Sequence, residues 1–252
     1  MDIHAVTTLA PGRPTGLPGG FQAWEEGRLV GSLTLFAPLG RTAEVSAFIP
    51  PQHRRKGIFS SLLSEAEAAC RAFGAELLLF VCGGESTDGQ AVAAHWGLAL
   101  DHSEYVLVCR APRPEGTKDP ALRLAGPQDL DRVAALTGAA FGDAPAEALS
   151  MAERTLSDPA RQCWGLWEGE RLLATASVGP AAEGLSIYSV AVDPARQGRG
   201  LGRRLMAVLL AVLPRDRALV VEVDSGNLPA RALYEAFGFR ETRRQDYFAR
   251  GL

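Results

Sequence analysis

The fold of this chain is decided by residues 185–202, LSIYSVAVDPARQGRGLG. Apolar and β-branched residues in the first half of this stretch predict a strand, and Asp193-Pro194 ends it because proline cannot donate to a sheet ladder. From Leu201 onward, apolar residues recur at helical spacing until Pro214. The three glycines therefore lie at a helix N-terminus, where free backbone N–H groups and the helix dipole favour an anion such as pyrophosphate.

Two other phosphate-binding loops fit this stretch less well. A Walker loop needs Lys-Ser/Thr after its last glycine, whereas Gly202 is followed by Arg203-Arg204. A dinucleotide loop is the stronger alternative, because Glu222 lies ~20 residues downstream, where an acidic residue would bind a ribose. Its third glycine would fall on Arg203, however, and only one further helix follows where more strand–helix units are required.

A second motif follows the glycine loop in the order expected of one family. Residues 197–202, QGRGLG, match Gln/Arg-x-x-Gly-x-Gly/Ala, and residues 227–234, NLPARALY, match Asn-x-x-Ala-x-x-x-Tyr before Gly238-Phe239. With a helix and a strand between them, the two motifs resemble those of the GNAT superfamily of acetyl-CoA-dependent N-acyltransferases. A structural glycine turn with a packing tyrosine is the alternative interpretation.

The resemblance implies a set of site residues. Acetyl-CoA would be the cosubstrate, bound through the backbone of the strand before the loop, the loop itself and the second motif. Tyr234 would protonate the leaving thiolate, for which a phenol with a reference pKa of ~10 is suited. Glu222 is the first candidate for the base, with Asp224, Glu183, Tyr188 or water as alternatives. The implied acetyl-CoA contacts are Val190, Ala191, Val192, Gln197, Gly198, Arg199, Gly200, Leu201, Gly202, Asn227, Ala230 and Tyr234.

The same order of elements occurs twice along the chain. An offset of 143 pairs Trp24 with Trp167 and Gly57 with Gly200, and after the helix an offset of 141 pairs Gly97 with Gly238. These pairings indicate a tandem duplication. The sequence therefore predicts a mixed α/β fold with a mostly antiparallel central sheet flanked by helices, in two GNAT-like domains.

The two copies are not equivalent. The second has two helical patterns, 129–141 and 145–156, whereas the matching part of the first, 3–21, is short and broken by prolines and glycines. The first copy is thus expected to lack its initial helices. Ala93 occupies the position of Tyr234 and Phe59 that of Gly202, so this copy is predicted to be inactive.

The prolines and charges of residues 111–120 predict a linker between the copies. The predicted domains are a degenerate GNAT-like domain over 1–110 and a complete acetyltransferase domain over 121–252. Without these initial helices, one face of the sheet in the first domain is uncovered, so we predict that the two domains pack against each other as an internal pseudo-dimer within one chain. The protein could then be a monomer.

Composition excludes several classes of function. A net charge of −3 and a pI near 5.9 argue against nucleic acid or an anionic membrane as a partner. The longest apolar run, 205–213, is far shorter than the ~20 residues of a membrane span, and no leader precedes the first strand, so a cytoplasmic protein is expected. The four cysteines, Cys70, Cys82, Cys109 and Cys163, show no metal-ligand spacing, so no metal site is predicted.

The sequence therefore predicts an N-acetyltransferase with its active site in the C-terminal copy. The acceptor would be a small-molecule or peptide amine that no motif identifies. The alternative is a non-catalytic CoA-binding or interaction module in which both copies are structural.

Overall fold

The computed structural model describes residues 1–6, 17–37, 41–110 and 115–252. Its chain divides into two compact units, one formed by Met1–Ser103 with Arg244–Leu252 and the other by Glu104–Arg243. Each unit has its own hydrophobic core.

The first unit is a sheet with two helices in the described residues. Its sheet runs in the order β1-β2-β3-β4-β5-β12, and only β4 and β5 pair in parallel among these strands. Helix α1 buries Leu62, Ala66 and Cys70, which recur every fourth residue, and ends at Gly74 in the left-handed conformation. The elements are β1 (Asp2–Val6), β2 (Gly20–Glu25), β3 (Arg28–Phe36), β4 (Thr42–Phe48), α1 (Ile58–Phe73), β5 (Leu77–Gly83), α2 (Thr87–His95), the start of β6 (Ala99–Cys109) and the end of β12 (Arg240–Gly251).

The second unit has helices on both faces of its sheet. The strand order is β6-β11-β10-β9-β8-β7, with β10 and β11 parallel. Helices α5 and α6 pack in one core, and helices α3 and α4 pack in another. Neighbouring residues of β8 point to different cores, because Trp164 packs against the core of α5 and α6 whereas Cys163 lies in the core of α3 and α4. The elements are β7 (Leu122–Leu124), α3 (Leu130–Phe141), α4 (Pro145–Ser157), β8 (Gln162–Glu168), β9 (Arg171–Ala181), β10 (Gly184–Val192), α5 (Leu201–Val212), β11 (Ala218–Asp224) and α6 (Leu228–Ala236).

The duplication predicted from the sequence is confirmed element by element. Helix α2 spans 87–95 and α6 spans 228–236, which is an offset of 141 at both ends, and β5 and β11 are related in the same way. The two helices predicted before β8 are α3 and α4. Strand β1 lies at the start of the segment 3–21, and residues 7–16, which contain most of the prolines and glycines that break this segment, lie outside the described residues.

The last strand of each copy pairs within the other copy's unit. Residues Glu104–Cys109 of β6 pair with β11, with Leu219 opposite Cys109, and Gln245–Gly251 of β12 pair with β5, with Leu78 opposite Arg250. The two pairings are equivalent under the offset of 141. The compact units therefore differ from the sequence-based domains 1–110 and 121–252 at these two segments.

The described part of the predicted linker packs against α5. A side chain on Gly116 would place its Cβ 2.1 Å from the backbone nitrogen of Ala211, and the Thr117 N–H donates to the Ala207 carbonyl at 3.0 Å. The carboxylate of Asp119 accepts from Arg204 Nε at 2.7 Å. Residues 111–114, the first four of the linker, lie outside the described residues.

Candidate active site

The parallel strands β10 and β11 separate part-way along their length. They pair only over Gly184–Ser186, opposite Ala218–Val220, although β10 continues to Val192 and β11 to Asp224. Backbone N–H and C=O groups beyond this point are strong hydrogen-bonding groups that lack the neighbouring strand as a partner. The opening can therefore receive an extended polar ligand, as expected for Val190, Ala191 and Val192.

A β-bulge marks the start of the opening. Tyr188 lies opposite Ser177 and Ala191 opposite Thr175, so three steps on β10 match two on β9. Within the bulge Ser189 has φ +47°, a left-handed conformation that costs a non-glycine residue ~1–3 kcal/mol and is concentrated at functional sites. No feature of the sequence pattern predicted this bulge.

The glycine loop after β10 exposes the N-terminus of α5. Gly198 and Gly200 have φ +75° and +78°, and Gly200 provides no side-chain cap for the helix. No atom lies within 4 Å of the position of an added Cβ at either glycine, so the space beside the loop is open. Arg199 has no ion-pair partner in the described parts of the chain, whereas Arg196 is bound to Glu168 at 3.0 Å. The loop thus presents free N–H groups and one uncompensated cation.

Gly202 lies where α5, α6 and β10 converge. A Cβ there would be 3.4 Å from Leu233 of α6 and 3.7 Å from Val192 of β10, which is ordinary van der Waals contact. The tight fit accounts for a motif that allows only glycine or alanine at this position. Gln197 further ties the loop to the strand, because its Nε2 donates to the Val192 carbonyl at 3.5 Å.

Helix α6 places Tyr234 beside this convergence. Asn227 caps the helix, with its Oδ1 accepting from the Ala230 N–H at 3.1 Å, so both motif residues have a structural role. Tyr234 follows Leu233 and is only 6% exposed, with its ring 5.8 Å from that of Phe239. Burial raises the pKa of Tyr234 to about 12. Its hydroxyl makes no hydrogen bond to the rest of the described chain.

Glu222 lies on the other face of the sheet from Tyr234. Its neighbours Val221 and Val223 belong to the core that contains Tyr234, so strand alternation directs Glu222 away from that core. The side chain is accessible to solvent, yet the protein around it and the carboxylate of Glu104 raise its pKa, against an opposing effect of Arg243. The sequence did not predict that the two candidates would lie on opposite faces.

The weaker base candidates differ in their surroundings. Arg110 Nη2 holds the Glu183 carboxylate at 2.5 Å, and Asp224 accepts the Gly226 N–H at 2.7 Å in a turn. Tyr188 has a buried hydroxyl with no hydrogen-bond partner among the described residues. Burial raises the pKa of Tyr188, while nearby Arg161 opposes the shift.

Asp143 lies in the connection between α3 and α4. Desolvation and the neighbouring Glu147 raise the pKa of the Asp143 carboxyl. Helices α3 and α4 cover one face of the sheet, and Glu222 lies on that same face. Asp143 and Glu222 are therefore on the same side of the sheet.

The first unit repeats the loop but lacks the bulge and the tyrosine. Arg55 has φ +58° where Gly198 has +75°, and Gly57 has φ +78°, as Gly200 does. Strand β4 pairs with β3 in continuous register from Glu44 to Phe48, so it lacks the bulge of β10. Ala93 is buried at the position of Tyr234.

The described residues contain neither a candidate metal centre nor a candidate membrane-spanning helix. They contain no group of three or more His, Cys, Asp or Glu side chains arranged to hold a metal ion. None of the helices in the described ranges is long and apolar enough to cross a membrane.

Comparison with known proteins links both copies to one family. The model of the "Acetyltransferase (GNAT) family" matches residues 9–96 and 130–239. A mycothiol acetyltransferase of Tsukamurella paurometabola is 33% identical over 236 residues, covering 84% of this chain and 80% of the relative. The N-alpha-acetyltransferase RimI of Mycobacterium tuberculosis is 34% identical over 131 residues, covering 49% of this chain and 81% of the relative.

The fold is also similar to solved structures. The crystal structure of a GCN5-related N-acetyltransferase from Sphaerobacter thermophilus superposes with a TM-score of 0.74. The two share 17% sequence identity, and the match covers 92% of this chain and 80% of the other. At that identity the similarity supports the fold alone.

Proposed function

This chain belongs to the GNAT acetyltransferase family and is an acetyl-CoA-dependent N-acyltransferase, and from that premise we propose that its second unit carries the active site. There it transfers the acetyl group to a primary amine on a small acceptor. The single observation that carries this assignment is that the bulge in strand β10 and Tyr234 occur together in this unit, whereas the first unit has a β4 without a bulge and Ala93.

The residues present fit acetyl-CoA. The uncapped N-terminus of α5, the open space beside Gly198 and Gly200, and the unpaired Arg199 would hold the pyrophosphate. Backbone groups of 190–192, which β11 leaves free, would bind the pantetheine arm and polarise the thioester oxygen. When bound, acetyl-CoA supplies an activated acyl group.

Tyr234 is proposed as the acid that donates to the sulfur as the amine nitrogen bonds to the acyl carbon and the C–S bond breaks. With a pKa of about 12, Tyr234 stays protonated at neutral pH and is always ready to donate. A complete transfer of the proton from Tyr234 to an ordinary thiolate, whose thiol has a pKa of ~8.5, would cost ~5 kcal/mol. The proton must therefore return to Tyr234 from the acylated amine, directly or through solvent.

Glu222 is proposed to accept the proton that the acceptor amine loses before attack. Its raised pKa brings the carboxylate closer to the range in which a base works at neutral pH. Since Glu222 lies on the face opposite Tyr234, the proton would pass through an intervening water. With Glu104 and Asp224 on the same face, it would also attract a cationic amine.

For the acceptor, we propose the one used by the mycothiol acetyltransferases. The supporting observation is that similarity to such an enzyme extends over 84% of this chain, whereas similarity to RimI extends over 49%. A protein N-terminus is the second candidate.

The test is release of free thiol from acetyl-CoA by the full-length protein across three acceptors: the substrate of mycothiol acetyltransferases, short peptides with free N-termini, and simple primary amines. Each acceptor with its amine already acetylated is the matched control. We expect turnover with the first acceptor and none with its blocked form. Preferential turnover of peptides would contradict the proposed acceptor and favour the N-terminal one.

A further inference from the structure

The first unit contains an open cavity of about 860 Å³ that the proposed reaction does not use. It lies between the ends of β4 and β5 and the helices α1 and α2, and all of its lining residues belong to the first unit. Small-molecule sites typically have volumes of ~300–1,000 Å³. The cavity is therefore large enough for a ligand although this unit lacks the catalytic tyrosine.

Two substitutions between the copies shape this cavity. Ala93, 3% exposed, lines it at the place where the second unit has the ring of Tyr234, so the space of a tyrosine ring is left. Phe59, at the position of Gly202, places its ring 5.5 Å from that of Trp96, and Trp96 contacts Phe80 edge to face at 6.0 Å. The wall of the cavity is therefore aromatic and suited to a planar or apolar ligand.

The rim of the cavity is positively charged. Arg54 is neutralised by Asp88 at 2.6 Å, whereas Arg55 has no side-chain partner among the residues that the structure describes. Gly57 leaves the N-terminus of α1 without a side-chain cap. His53, which also lines the cavity, has a buried Nδ1 that lacks a partner in the described chain. These groups favour an anionic substituent at this end.

Phe59 is unfavourable for the nucleotide cosubstrate of the second unit. It puts an aromatic side chain where the second unit has the bare backbone of Gly202, a position that the family motif restricts to glycine or alanine. We propose that the first unit is a binding site for a small organic anion, a carboxylate or phosphate monoester on an aromatic or branched aliphatic body, and that it does not take acetyl-CoA. The aromatic wall holds the body and Arg55 with the start of α1 holds the anion.

Calorimetry with 1-naphthyl phosphate as the probe tests this on the full-length protein, in the presence of saturating acetyl-CoA. We expect saturable binding at one site. Ala93→Tyr refills the space of the ring and should weaken binding at least ~10-fold, by overpacking the site. Ala94→Tyr, an exposed neighbour that does not line the cavity, is the matched control and should bind as the wild type does.

Arg55→Gly tests the anionic end without straining the loop, since glycine favours the φ of +58° that Arg55 adopts. Loss of this charge should lower the affinity for 1-naphthyl phosphate about tenfold and leave the affinity for neutral 1-naphthol unchanged. Lys56→Ala, beside it but outside the cavity lining, is the control.

Three results would overturn the proposal. They are the absence of a saturable heat of binding, equal affinity in wild type and Ala93→Tyr with an unaltered melting temperature, and displacement of the probe by acetyl-CoA in a titration. The last would make the cavity a second cosubstrate site.

Discussion

The two units have the same loop backbone but different groups around it. Gly57 and Gly200 share φ +78°. The residue two positions earlier is also left-handed in both units, although it is Arg55 in the first and Gly198 in the second. The second unit adds a bulged strand and Tyr234, whereas the first has a regular strand and Ala93. The loop conformation therefore belongs to the fold, and the two units differ in a few residues outside the loop.

The unusual conformation of Arg55 strengthens this conclusion. A non-glycine residue in the left-handed region costs ~1–3 kcal/mol and persists only where the surrounding structure imposes it. The connection from β4 to α1 thus has one geometry that the rest of the unit requires. A glycine loop by itself is weak evidence for activity, and the tyrosine and the bulge are stronger.

The largest expected effect comes from separating the halves. A fragment of residues 118–252 lacks Glu104–Cys109, which pair with β11, and leaves Gln245–Gly251 without β5. We expect it to aggregate, because an unpaired strand edge beside a core is an aggregation site. Solubility, melting and acetyl transfer measure this against the full chain. A soluble fragment with full activity would refute any supporting role of the first half.

Tyr234→Phe removes the hydroxyl that is proposed to act as the acid and keeps the aromatic ring, which Ala93 of the first copy lacks. Loss of a general acid typically lowers the maximal rate ~10²- to ~10⁴-fold. Binding of acetyl-CoA, measured by calorimetry, should change little because the ring remains. Ala93→Tyr in the first unit is the matched variant and should not create activity in a Tyr234→Phe background. A maximal rate that stays unchanged would show that Tyr234 only packs.

Gly200→Val and Gly57→Val make the same change in the two loops. Each puts a β-branched residue at φ +78°, so each should destabilise the protein by ~1–3 kcal/mol. Only Gly200→Val should also weaken acetyl-CoA binding, about tenfold or more, by blocking the backbone's approach to the pyrophosphate. Calorimetry on both variants separates the effects. Equal acetyl-CoA affinities would mean that the second loop is not the binding site.

Glu222→Gln should have the smallest effect, about tenfold on the rate, because solvent can also accept the amine proton. Desolvation by the surrounding protein and the charge of Glu104 raise the pKa of Glu222, so the wild-type rate should fall as pH drops through that raised value, where the carboxylate becomes protonated. The variant should lose this dependence. Rate–pH profiles test it, with Asp224→Asn on the same strand as the control. An identical profile in Glu222→Gln would exclude Glu222 as the base.

Much of this architecture could be predicted from the sequence. The offset of 141 places α2 on α6 at both ends, and helical spacing predicted α3 and α4 to within a residue or two. Local signals were sufficient in these cases, because capping residues and apolar periodicity lie within the elements themselves. The site residues of the loop and of the second motif come from the resemblance to the family motifs, and their roles stay a prediction.

Other features depend on partners far away in the chain. The alternation of β6 and β12 is the same whichever strand lies beside them, so their exchange leaves no trace in the pattern. The bulge at Ser189 arises from the register between β9 and β10, and the cavity of the first unit from the joint effect of Phe59 and Ala93. Such features require pairing and packing that no single stretch encodes.

The exchanged strands also set the order in which the chain can fold during its synthesis. One of the two strand partners of Leu77–Gly83 is Gln245–Gly251, which follows it in the chain only after the whole second copy of the other elements. The first half therefore cannot complete its sheet as it emerges from the ribosome, and β5 keeps one edge open until Gln245–Gly251 have been synthesised. Closing so long a loop slows folding, since the entropy of closure must be overcome before the contact stabilises the chain. A stalled or truncated polypeptide would present that open edge to other chains.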